Sequence, residues 1–125
     1  MPQRYTRNVA SPERDELIGR VRDALDSTER EYAAMPMFVR LLVRRGFVKR
    51  TGLDFAGWRA ALERAATAPS GELAARLAAL AEHYRGAPER ARRGMGATGP
   101  QLVEVEARSR ARAAAVDALR TALHG

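Results

Sequence analysis

Residues 92–100 read Arg-Arg-Gly-Met-Gly-Ala-Thr-Gly-Pro, "RRGMGATGP". Within them, Gly94, Gly96 and Gly99 complete the pattern G-x-G-x-x-G, which in the right setting cradles a dinucleotide. The setting decides between an α/β and an all-α chain. The fingerprint needs a strand before its first glycine, a helix after its last, and an acidic residue at the end of a second strand about 20 residues on. The preceding "APERARR" has no strand character. Asp117 lies near the right distance, but inside the same helical segment that follows the glycines. The stretch therefore reads as a glycine-rich connector, and the chain around it as all-α.

Working outward, helical periodicity accounts for most of the 125 residues. In "SPERDEL", Ser11 is suited to cap free amides, Pro12 fits the first helical position, and Asp15 and Glu16 favour the positive end of the dipole. Leu17, Val21, Leu25, Thr28 and Tyr32 then form one stripe. Glu16–Arg20 and Asp26–Arg30 are spaced as i,i+4 pairs. Met35, before Pro36, bounds this helix near Ala34. A shorter helix is expected in "PMFVRLLVRRG", ending at Gly46. "FVKRTGLD" then reads as a connection, with Asp54 capping a third helix that offers Trp58, Leu62 and Ala65 to a core. A fourth starts at Pro69-Ser70, aligns Leu73, Leu77, Leu80 and Tyr84, and stops at Gly86.

Residues 86–100, with four glycines and two prolines, read as the longest loop. The last helix spans about Gln101–Leu123. Its seam of Leu102, Val105, Val116, Leu119 and Leu123 is broken by Ser109 and Arg112, and Glu104–Arg108 and Glu106–Arg110 are spaced as ion pairs. The expected architecture is an irregular bundle of about five helices, two long ones framing the shorter ones. It comprises one domain over 11–125, with residues 1–10 as a flexible arm.

The net charge is +7 and the pI about 11.1. That balance suits a polyanionic partner. However, Lys49 is the only lysine among 22 basic residues, so a GC-rich coding bias also accounts for the arginines. With no cysteine, disulfides, thiolate metal sites and cysteine nucleophiles are excluded. No stretch approaches the roughly 20 apolar residues of a membrane span. No apolar signal core follows the N-terminus, and the chain reads as cytoplasmic.

Five basic residues and no acid lie between Pro36 and Leu53: Arg40, Arg44, Arg45, Lys49 and Arg50. With Arg90, Arg92 and Arg93 of the glycine-rich segment, they are the candidate anion- or partner-binding residues. A helix-turn-helix over 36–64 would place Asp54, Phe55, Ala56 and Gly57 at the start of its recognition helix. Of that helix only Arg59 is equipped for base edges. A membrane-surface helix in "MPMFVRLLVRR" is a further reading. The plainer expectation is a short core helix with one arginine face.

Pro36, Phe38, Val39, Arg40, Val43, Arg44, Arg45 and Gly52 resemble a motif in the small helical domain of the protochlorophyllide reductase subunit family. The resemblance covers residues 35–65, about a quarter of the chain. It implies a helical accessory domain, and no catalysis carries over, because the Cys ligands of the large reductase are absent.

His83 and His124 lack Glu-x-x-His or His-x-x-x-His spacing, so no metal site or cofactor is indicated. Ser27, Ser70 and Ser109 have no visible base partner. The sequence therefore reads as a non-catalytic helical interaction protein that binds another protein or itself. Nucleic-acid binding through 36–64 is the alternative.

Overall fold

The computed structural model describes residues 12–68, 71–94, 96 and 98–124. The arm expected over 1–10, the Ser11 cap and the Pro69-Ser70 start lie outside the described residues. Among the described residues the fold is an all-α bundle of six helices: α1 (Pro12–Ala33), α2 (Met37–Thr51), α3 (Phe55–Thr67), α4 (Gly71–Arg85), α5 (Ala87–Gly94) and α6 (Gly99–His124). The long α1 and α6, of 22 and 26 residues, pack along one another and frame the rest. The most extensive interface is between α4 and α6; α3 packs on α1, and α2 on α4.

The apolar stripes converge on one core. From α1 it takes Ile18, Val21, Ala24 and Leu25; from α3, Trp58, Leu62 and Ala65; from α4, Leu77, Leu80 and Ala81; from α6, Ala113, Val116 and Leu119. The break in the α6 seam is closed within the molecule. Ser109 is buried, and Arg112 forks onto the Glu31 carboxylate, with Nη1 at 3.1 Å, while its guanidinium lies over the Tyr84 ring. Arg108 also reaches Glu31, at 3.7 Å, and Asp26 pairs with Arg59. Tertiary partners thus displace the expected Glu104–Arg108 and Asp26–Arg30 pairs. Glu16–Arg20 forms as spaced, at 2.8 Å.

Two boundaries differ from expectation. Helix α2 does not stop at Gly46; it runs to Thr51 and ends at Gly52, whose φ of +88° allows its N–H to reach Val48 O at 2.7 Å. Continuing the helix carries Phe47 into full burial and lets the Thr51 hydroxyl donate to the Phe47 carbonyl. That gain outweighs the ~1 kcal/mol helix penalty of an interior glycine.

The expected loop over 86–100 is largely helical, since Ala87–Gly94 form α5. Pro88 stands in its first turn, Glu89 near the positive end and Arg92–Arg93 near the negative end, a local arrangement strong enough to override the glycine density. Between α5 and α6, Gly96 and Gly99 take positive φ, +62° and +46°. Among the described residues no strand precedes Gly94, and a helix leads into it, so the setting of a dinucleotide loop is missing.

Helix α3 starts as expected, with Asp54 Oδ1 accepting from Gly57 N at 2.7 Å. Asp54→Ala is expected to cost about 1 kcal/mol, read as a lower urea midpoint with unchanged slope.

Candidate functional site

The arginines singled out by sequence do not form one patch. On α2, Arg44, Arg45 and Lys49 are exposed. Arg40 folds back to donate to Ala33 O at 3.3 Å. On α5, Arg92 and Arg93 are occupied by Glu89, Arg93 Nε lying 2.9 Å from its carboxylate. Arg50 and Arg90 turn the other way, toward a buried imidazole.

That imidazole is His83, on α4 and 3% exposed. Its walls are aromatic: the Phe47 ring lies edge-on at 4.9 Å and the Tyr84 ring at 5.2 Å. Arg50 Nε donates to His83 Nδ1 at 3.1 Å. Arg90 Nη2 lies 3.4 Å from the same nitrogen and donates to the His83 carbonyl at 2.7 Å. Nδ1 must therefore be the acceptor, so the ring's hydrogen sits on Nε2, which faces the Tyr32 hydroxyl at 3.5 Å. Burial, reinforced by the Arg90 and Arg50 charges, lowers the His83 pKa to about 3, so the ring is neutral. Burial and the Arg50 charge likewise push Arg90 below the ordinary guanidinium value. Among the described residues, no carboxylate pairs with Arg50 or Arg90.

Two glycines make this convergence sterically feasible. A Cβ on Gly46 would stand 2.8 Å from Arg50 Nη2, and one on Gly86 would stand 2.8 Å from Arg90 Nη1. Each guanidinium thus lies back over a glycine four residues earlier. The sequence contains this signal twice, as "GFVKR" at 46–50 and "GAPER" at 86–90. Sequence reasoning had both arginines but missed the shared G-x-x-x-R spacing. Nor does the sequence show that both arginines meet at His83 of α4, whose other ring nitrogen faces Tyr32 of α1.

The other feature is the outer face of α2. Met37, Phe38, Leu41 and Leu42 are 69%, 74%, 60% and 54% exposed. The expectation of a core helix fails here: only Phe47 and Thr51 of α2 are buried. The reason lies in register. The side of the helix carrying Phe47 and Thr51 faces the bundle, which leaves the Met37–Leu41–Arg45–Val48–Lys49 side exposed, with none of the described helices over it.

In the helix-turn-helix segment, Arg59 is held by Asp26 and Glu29, and Phe55 is buried, so the start of α3 offers no free base-reading donor. A groove of about 260 Å³ beside α3 and α4 and one of about 450 Å³ along α5 and α6 both lie away from His83. Among the described residues no three His, Asp or Glu side chains gather as metal ligands, and no helix is long and apolar enough to cross a membrane. Comparison with known protein families, curated proteins and solved structures finds no match.

Proposed function

We propose that the chain is a non-catalytic helical interaction protein that docks an acidic segment of another protein on the outer face of α2. The observation that carries this reading is the set of four large apolar side chains, each more than half exposed, at the N-terminal end of that face. A contiguous apolar patch left in water is the usual mark of a covered surface.

Charge selects the occupant. Arg45 and Lys49 continue the same face, and among the described residues neither has a carboxylate partner. An apolar anchor followed by acidic residues satisfies both halves. A two-fold pairing with a second copy would set these cations against themselves. A helix laid flat on a bilayer would drive Arg45 and Lys49 into the apolar layer, because they lie within the apolar face and not along its flanks.

The test is a photo-crosslinking residue at position 38 in a nuclease-treated native lysate, with the exposed Glu63 position as control. The expected product is one protein, crosslinked through a segment that mixes Asp or Glu with apolar residues. Phe38→Asp with Leu41→Asp should weaken that binding about 30-fold or more, as loss of a hot spot of about 2 kcal/mol implies. The fold should stay intact, since both side chains are exposed. Crosslinking to lipid, to nucleic acid or to a second copy, or equal yields at 38 and 63, overturns the reading.

A further inference from the structure

We propose that Arg50 and Arg90, set over Gly46 and Gly86 and converging on His83, form a receptor for a phosphate group. This site uses the inward side of α2 and is independent of docking on the outer face.

Two guanidiniums reach the same imidazole nitrogen, at 3.1 and 3.4 Å, with no carboxylate among the described residues to offset them. Bringing a second guanidinium up to the partly buried Arg90 is unfavourable unless an anion completes the pair. A neutral His83 relieves none of that repulsion; it only orients the two forks.

The donors left over define the anion. His83 uses Arg50 Nε and Arg90 Nη2, so both Arg50 terminal nitrogens, and Nε and Nη1 of Arg90, remain to donate. Two forks from different helices fit a tetrahedral group with several acceptor oxygens. A charge of −1.5 to −2, that of a phosphate monoester near pH 7, matches the pair better than a single carboxylate. Arg50 is exposed, so the site is open to solvent. The two glycines belong to the same device, because any side chain there would push a guanidinium out of place.

The experiment is a titration of the intact protein with inorganic phosphate, phosphoserine and adenosine monophosphate at fixed ionic strength, with chloride as control. It is followed by the arginine Nε–H and His83 ring resonances. Saturable binding of inorganic phosphate is expected, with Kd on the order of 1 mM. Tighter binding of one ester than of inorganic phosphate would identify the natural carrier of the group.

Arg50→Gln and Arg90→Gln should each weaken binding at least tenfold, and neither should lower the melting temperature in phosphate-free buffer, since each relieves repulsion. Gly46→Ala should raise the melting temperature yet weaken phosphate binding, a pairing that a merely structural arginine would not produce. No saturation by inorganic phosphate up to 20 mM, or unchanged affinity in Arg50→Gln and Arg90→Gln, overturns the proposal. So does Gly46→Ala binding as tightly as the parent.

Discussion

Trp58→Ala is expected to remove about 3–5 kcal/mol of stability. Trp58 is fully buried and is the chain's only tryptophan. Its ring belongs to the core, and its Nε1–H donates to Thr51 Oγ1 at 3.0 Å. That hydroxyl in turn has one proton to share between the carbonyls of Phe47, at 2.9 Å, and Leu53, at 3.1 Å. Truncation therefore leaves a large void and also removes the bond that ties α3 to the end of α2. Domains of this size have about 5–15 kcal/mol in total, so the variant should retain little of its margin. Urea unfolding followed by circular dichroism is the measurement, since the fluorophore is lost. The midpoint should fall by roughly 2 M. Trp58→Phe keeps most of the volume and should lose markedly less. A loss below about 1 kcal/mol for Trp58→Ala would contradict the packing of α2 and α3 on α1.

The second large effect is acid sensitivity centred on His83. An unfolded histidine titrates near 6.5, while in the fold burial and the Arg90 and Arg50 charges hold this ring's pKa at about 3. Between those values the unfolded chain binds one proton more than the native one. Stability therefore rises with pH across this window. It is fully present above about 6.5 and falls by about 1.4 kcal/mol per pH unit as the medium is acidified toward 3.

The groups facing the ring are Arg50 and Phe47 from α2, Arg90 from α5, Tyr32 from α1 and the adjoining Tyr84. None of them offsets a positive imidazolium. His83→Gln keeps an acceptor for Arg50 and a donor for Tyr32 without a titrating proton. Chemical denaturation from pH 4.5 to 7 should show the steep slope in the parent and a flattened one in His83→Gln. Parallel slopes would remove His83 as the origin. Bound phosphate should flatten the parent's slope as well, because an anion beside the ring raises its pKa.

Local chemistry carried most of the architecture. Pro12, the Asp54 cap and the 3–4 spacing of Leu77, Leu80 and Tyr84 depend only on near neighbours, so the helices they specify were legible residue by residue. The absence of a strand before Gly94 was enough to read an all-α chain. The candidate site was half legible: Arg50 and Arg90 stood out as basic residues, whereas Gly46 and Gly86 read only as helix ends and His83 as a lone histidine.

What the sequence by itself determined, then, was the all-α class, the two-long-helix frame and the core stripes, because helix periodicity and capping act over a few residues. Only the tertiary structure decided that α2 runs past Gly46, since that extension is driven by burial of Phe47 against distant rings. It alone decided that Phe38 and Leu41 face water, because an apolar face is buried only if another helix meets it. And it alone brought Arg50 and Arg90 to one nitrogen of His83, since residues 50, 83 and 90 lie on three helices that meet through packing.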